Sequence, residues 1–217
     1  MTNKVQTLTV SASMVVASLL ACSEAQAQDN IVKLGAIRYT TNSSTSGIKG
    51  AGVPAGADAE TGDATTLILV VERTLTPNIG IELVVGVPPR IKSKATGTVA
   101  FLGDNVLSAK NVAPTVLVNH YFGDPSNTWR PYLGVGVNYT RFTGVKSSLA
   151  PKVTMSDSFG AAIQVGVNYA FNKQTGLFAS VARVDVKSDV VAVGSTVLTT
   201  SIDFKPVTYS MGAFYKF

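Results

Sequence analysis

Few residues of this chain have the type and spacing for covalent chemistry. His120 is the only histidine and Cys22 the only cysteine. A histidine working as a general base needs a nucleophile or carboxylate in hydrogen-bond reach, and "VLVNHYF" around His120 offers neither. Asp58, Glu60 and Asp63 cluster in "DAETGD" and have the oxygen chemistry of a hard-cation site, though a solvated acidic loop has the same composition and is the preferred reading. Gly134-x-Gly136 has the spacing of a phosphate-cradling turn, but it lies inside an alternating strand with no helix after it. No catalytic residue, metal site or cofactor is expected, and the chain reads as a non-enzyme. More informative are Glu72, Glu82, Arg130, Arg183 and Asp185, set in or beside apolar alternating segments. Buried charge is costly unless paired or hydrated, so these five are expected to face inward and form a salt-bridged polar plug.

The elements that carry those charges have an unusual composition. Charged residues are only 14% of the 217, against about 25% in an average globular domain, and the mean hydropathy is +0.27. Yet no stretch after residue 30 supplies the roughly 18 apolar residues of a spanning helix. Nineteen glycines and many Val, Thr, Tyr and Phe favour strands. Two all-β architectures share that pattern, a transmembrane barrel and a soluble sandwich. The net charge is +5 and the pI about 9.3, but Lys and Arg are scattered rather than gathered on one aromatic-interleaved face. Nucleic acid is therefore not an expected partner.

The N-terminus reads as a targeting segment. A mildly apolar stretch leads to Ala25-Gln26-Ala27, an A-x-A cleavage pattern. Residues 1–27 are read as a secretory signal peptide and 28–217 as the domain. Cys22 follows Leu19-Leu20-Ala21, a loose match to an acylation box. Removal with the signal peptide is the adopted reading and lipidation the alternative. Without Cys22 the mature chain has no disulfide, thiol nucleophile or Cys-ligated metal.

Alternation is plainest in "WRPYLGVGVNYTR" and "DSFGAAIQVGVNYAF". One face of the first carries Trp129, Leu133, Val135, Val137 and Tyr139, and the other Tyr132, Gly134, Gly136 and Asn138. Trp129 and Tyr139 are ten residues apart, as are Phe159 and Tyr169. On a strand tilted by about 40°, ten residues rise roughly 25 Å. That is the height of a lipid-facing band bounded by aromatic girdles, and a sandwich has no reason to keep it. Further strands are expected at about 30–40, 64–74, 79–88, 112–122, 176–187 and 202–217. The result is all-β: an eight-stranded antiparallel transmembrane β-barrel of the outer-membrane type.

Long connections (41–63, 89–111, 142–156 and 188–201) alternate with short ones (75–78, 123–128 and 171–175), matching long outer loops and short periplasmic turns. That places the chain in the outer membrane of a Gram-negative bacterium, with both termini periplasmic. The final "SMGAFYKF" ends on an apolar aromatic, which makes sense only if Phe217 is held in structure. Ser210, Gly212, Tyr215 and Phe217 also have the spacing of a signal for the outer-membrane assembly machinery.

An eight-stranded barrel is just wide enough for side chains or one small ligand. Ile68, Val70, Val84 and Leu117 face inward in this reading and either line an apolar path or simply pack the lumen. Pro88, Pro89 and Pro114 end one strand and begin its neighbour. Proline lacks a ladder N–H, so these three are expected to hold that seam open as a lateral exit. Lys49, Arg90, Lys92, Lys94, Lys110, Lys146 and Lys152 lie in the long connections, where lipopolysaccharide phosphates of the outer leaflet would attract them.

The segments "TPNIGIEL", "GTVAFLGDNVLSAKNVAPTVLVNHYFGDPSNTWRPYLGVGVNYTRF", "DSFGAAIQVGVNY" and "GAFYKF" resemble the OmpW family of small outer-membrane proteins, from about residue 30 to 217. "RPYLGVGVNYT" is the most specific part. Near "NVAPT" the family commonly has two prolines where this chain has only Pro114, and Gly47–Asp63 does not match closely. The resemblance implies a barrel with a narrow apolar tunnel that passes small hydrophobic molecules, leaving sideways through the wall. A structural barrel whose loops bind partners, with no transport, is the competing function. A continuous apolar lumen distinguishes the two.

Overall fold

The computed structural model describes residues 29–41, 43–194 and 196–217. The signal-peptide reading of 1–27, with Cys22, lies outside the described residues. Eight strands form the barrel wall: β1 (Asn30–Thr40), β2 (Ala64–Thr76), β3 (Ile79–Gly86), β4 (Thr115–Tyr121), β5 (Trp129–Ser147), β6 (Ser158–Ala170), β7 (Thr175–Val184) and β8 (Val207–Lys216). Each pairs antiparallel with the next, and β8 pairs with β1 from Ile31↔Lys216 to Thr40↔Val207. The cylinder closes on itself, so outside a break between β3 and β4 at the loop end its backbone groups pair within the sheet.

The alternation is inside-out relative to a soluble protein. On β5 and β6 the large apolar residues Leu133, Val135, Val137, Phe159, Ile163 and Val165 are exposed, while Asn138, Ala162 and Gln164 are buried. A water-soluble sandwich would hide that continuous apolar face. A lipid-facing barrel displays it. Register ties the aromatics together across the two strands: Trp129 stands opposite Tyr169 and Tyr139 opposite Phe159. The Trp129 and Tyr169 rings lie 4.6 Å apart at the short-turn end, and Tyr139 donates to Asp157 at 2.6 Å at the loop end. His120 is exposed and meets Phe122 edge-on at 4.9 Å near the short turn.

Phe217 is held by the ladder. It exchanges backbone hydrogen bonds with Asn30 at 3.0 and 3.2 Å, and its ring lies 5.6 Å from Tyr215. The turn "GDPSNT" is pinned by Asp124, whose carboxylate accepts from the Ser126 N–H at 2.8 Å and hydroxyl at 2.5 Å. Those two donors hold its carboxyl below the ordinary range.

The long connections are more ordered than their Gly-, Ala- and Ser-rich sequence suggests. Residues 57–61, 90–97 and 107–112 form strands that continue the sheet above β5, which itself runs to Ser147 rather than stopping near 141. Residues 152–155, 187–193 and 197–203, with 44–45, form a separate four-stranded sheet. β7 ends at Val184, and Lys187 starts a new strand. In "RIKSKATG" the buried residues Ile91, Ser93 and Ala95 alternate with exposed ones. Their small or polar inner side chains conceal the period from a search for apolar runs.

Candidate functional site

The lumen is built from inward residues of all eight strands and divides into a polar floor and an apolar chamber. The floor centres on Lys33 of β1, fully buried. Its ammonium lies 2.8 Å from Glu72 Oε2 on β2 and 2.9 Å from Glu82 Oε2 on β3. Tyr121 donates to Glu72 Oε2 at 2.7 Å. Asn119 donates to Glu82 Oε2 at 3.1 Å, and Gln164 donates to Glu82 Oε1 at 3.0 Å and Asn119 Oδ1 at 2.8 Å. The Lys33 ammonium also stands over the rings of Tyr132 (5.1 Å) and Phe178 (5.6 Å). Glu72 Oε1 alone among these oxygens has no donor among the described residues.

Inward glycines make room for this network. A Cβ on Gly80 would meet Glu72 Oε1, one on Gly134 would overlap Asn119 and Gln164, and one on Gly166 would enter the Tyr132 ring. Arg130 closes the short-turn end: it donates to the Pro77 carbonyl and to Asn78 Oδ1 (3.4 Å), with its guanidinium 4.8 Å from the Tyr121 ring.

The structure therefore brings Glu72, Glu82 and Arg130 to the floor. It does not bring Arg183 or Asp185. Arg183 shares the outer face of β7 with exposed Leu177, Ala179 and Val181, and Asp185 is exposed just past the end of that strand. Both were expected inside. The assignment fails because Phe178, Ser180 and Ala182 hold the inner positions, and the period of 2 puts Arg183 on the other side. The residue missed by sequence reasoning is Lys33. Its signal was available: in "NIVKLGAIRYT" it alternates in phase with Ile31, Gly35 and Ile37.

Above the floor lies a cavity of about 70 Å³, lined mainly by apolar atoms. Ile68, Val70, Val84 and Leu117 all face it, with Ile37, Ala162, Val184 and Phe204. Toward the loops it reaches Ile91, Asn111 and Ala113. There the wall is interrupted. The β3–β4 ladder ends at Val84↔Thr115 and pairing resumes only at Arg90↔Lys110, preceded by a bond from Asn111 N–H to Pro89 O at 3.0 Å. Residues 85–88 and 112–114 do not pair with each other, and Pro88, Pro89 and Pro114 flank this break. Each side still holds its other neighbour, through Val85↔Leu69 and Val112↔Arg141.

The chain matches the OmpW family over residues 26–217. It belongs to that family. Outer membrane protein W of Vibrio cholerae serotype O1 is 32% identical over 162 residues, covering 70% of this chain and 74% of that protein. Outer membrane protein AlkL of Ectopseudomonas oleovorans is 30% identical over 169 residues, covering 77% and 73%. Among solved structures, the outer membrane protein OprG from Pseudomonas aeruginosa superposes with a TM-score of 0.81 at 26% identity, over 88% of this chain and 97% of that one. This OmpW-family chain is thus an outer-membrane-type barrel with a polar floor, an apolar chamber and a broken seam.

The three acidic residues of "DAETGD" each have a separate partner. Asp58 accepts from the Thr45 hydroxyl, Glu60 pairs with Lys94 at 3.0 Å, and Asp63 with Arg38 at 3.1 Å. In β8, Ser210 faces the cavity, Gly212 lets the strand approach Leu34 closely and Tyr215 is exposed, as is Phe217 just after it.

Proposed function

We propose that this barrel, in the outer membrane of a Gram-negative cell with both termini periplasmic, gives small hydrophobic molecules a passive path through the outer leaflet. A molecule arrives from the loop end, occupies the apolar chamber, is stopped by the Lys33–Glu72–Glu82 floor, and leaves sideways between β3 and β4. The observation that carries this reading is an apolar chamber that ends on a sealed polar floor yet extends to a break in the wall. A straight water pore does not suit it, because eight strands leave too little width. At about 70 Å³ the chamber is smaller than the roughly 150 Å³ that accommodates a benzene, so a ligand advances by displacing side chains.

Uptake of naphthalene and of a medium-chain alkane by otherwise identical cells, with and without the protein, tests the reading. Folding is checked by heat-dependent gel mobility. Faster uptake with the folded barrel is expected. Unchanged uptake of several such compounds, with folding intact, would favour a barrel whose loops bind partners instead. Outer-leaflet lipid and lipopolysaccharide are its proposed surroundings, and the Ser210–Phe217 strand is its proposed handle for the assembly machinery.

A further inference from the structure

Two aromatic rings meet at the loop end of the chamber. Phe142, on the part of β5 that runs beyond the barrel, and Phe204, just before β8, stack with centroids 5.4 Å apart and planes at 27°. Both are buried, at 8% and 5% exposure. Together with Ile91 they line the 70 Å³ chamber and also a second cavity of about 10 Å³ among the outer strands, whose other walls include Ser93, Leu107, Ala109 and Met155. The two rings and Ile91 are the partition between these spaces.

The rings are held differently. Phe142 sits within a paired strand, opposite Asn111, beside a register shift between Ser108 and Lys110. Phe204 begins a segment of three residues, Phe204-Lys205-Pro206, that belongs to no strand. Lys205 has φ +35°, on the left-handed side that a residue with a Cβ adopts at a cost, and Pro206 has no N–H to give. Two backbone bonds tether the segment: Phe204 N–H to Val186 O at 2.9 Å, and Val184 N–H to Pro206 O at 3.2 Å. One ring is fixed by sheet, and the other rides on a short interruption between strands.

We propose that Phe142 and Phe204 form the outer gate of the lumen and favour flat aromatic molecules over linear aliphatic ones. This rests on the lumen being a hydrophobic path. Parting the stack forfeits a ring–ring contact worth more than its buried area. A flat aromatic ring arriving between the two offers each an offset-stacked or edge-to-face replacement. An alkyl chain offers only dispersion and area. Movement of Phe204 on its interruption opens the partition without breaking the barrel ladder below. One aromatic contact sets the discrimination, roughly threefold to tenfold.

Phe142→Leu and Phe204→Leu keep the gate apolar and remove its rings. In the paired uptake assay each variant is expected to lower the naphthalene-to-octane uptake ratio by roughly threefold to tenfold, with octane not slowed. Phe204→Tyr, which keeps the ring, should keep the ratio. A fluorescence titration of 2-naphthol into the barrel in lipid nanodiscs, corrected with empty discs, reads the gate without transport, and the Leu variants should bind more weakly by a similar factor. An unchanged ratio, or equal losses for both compounds, overturns the proposal. If the wild-type barrel raises uptake of neither compound, the passage reading fails by itself and the titration decides the gate: equal 2-naphthol affinity in wild type and variants overturns it. If a Leu variant does not fold, Phe204→Met makes the same comparison.

Discussion

The Lys33 ammonium lies within 2.9 Å of carboxylates on two neighbouring strands, Glu72 on β2 and Glu82 on β3. One buried cation thus ties the first three strands together inside the barrel. Removing one member of such a set costs far more than the set itself contributes, because it leaves charge buried and unpaired. Lys33→Met should destabilise the folded barrel by about 3–5 kcal/mol, read as a lower urea midpoint in lipid vesicles. Lys33→Met with Glu72→Gln and Glu82→Gln should recover much of that loss. A triple variant no more stable than Lys33→Met alone would show that packing around the lysine stem, rather than charge pairing, is what the site provides.

The floor was partly legible in the sequence, and the division has a physical basis. Glu72 and Glu82 interrupt strong apolar alternation, so their inward placement follows from the period of 2. Lys33 obeys the same rule in "NIVKLGAIRYT", but a single lysine near a terminus also reads as surface charge. Arg183 failed for the converse reason: assigning its face needs the phase of β7, and "LFASVAR" is apolar on both faces. The eight barrel strands followed from the period of 2 and the alternating connection lengths, and the held Phe217 from an apolar aromatic ending the last segment. The outer strand 90–97 did not, because Ser93 and Ala95 alternate with Ile91 on its buried side and leave no apolar stripe to find. The Phe142–Phe204 stack joins residues 62 positions apart, a distance over which no local pattern carries information.

Glycine placement makes a second prediction. Gly166 faces the Tyr132 ring so closely that a Cβ there would enter it. Tyr132 is 1% exposed and packs against the Tyr121 ring at 5.0 Å with the Lys33 ammonium 5.1 Å over its own ring, so moving it disturbs the floor. Gly166→Val should therefore cost about 1–3 kcal/mol through overpacking. The companion Gly52→Ala, with open space around its added Cβ but φ +79°, tests backbone strain instead and lies far from the floor. Gly166→Val should shift the unfolding midpoint and the near-ultraviolet tyrosine signal together. A lower midpoint with an unaltered tyrosine signal would place the strain elsewhere.

The proline break makes a third. Pro88, Pro89 and Pro114 flank the only part of the β3–β4 seam that the described residues leave unpaired between Thr115 and Lys110. Valine restores the missing N–H groups and suits a strand. Pro88→Val with Pro89→Val and Pro114→Val should lengthen the ladder, raise amide-exchange protection across 85–89 and 111–114, and slow hydrophobic uptake without reducing assembly. Protection that rises while uptake stays constant would remove the seam as an exit and leave the chamber needing another.

Closure at the terminus makes the last. Phe217 is bonded through both its N–H and its C=O to Asn30, so the final residue helps seal β8 to β1. Lys216 adds an ion pair to Asp29 at 2.5 Å beside the same junction, but a partly exposed pair contributes about 0–1 kcal/mol. The backbone bonds and the outward aromatic pair Tyr215–Phe217 are the larger contribution. Phe217→Ala keeps the backbone bonds and loses the ring, whereas deleting residue 217 loses both. The two variants separate ladder closure from the proposed recognition by the assembly machinery. Purified barrels refolded into vesicles should tolerate Phe217→Ala with a small loss of stability and suffer more from the deletion. If the assembly machinery reads the strand as proposed, both should lower the amount of folded barrel in cells strongly. If Phe217→Ala accumulates to the wild-type level in cells, the terminal ring is not an assembly signal.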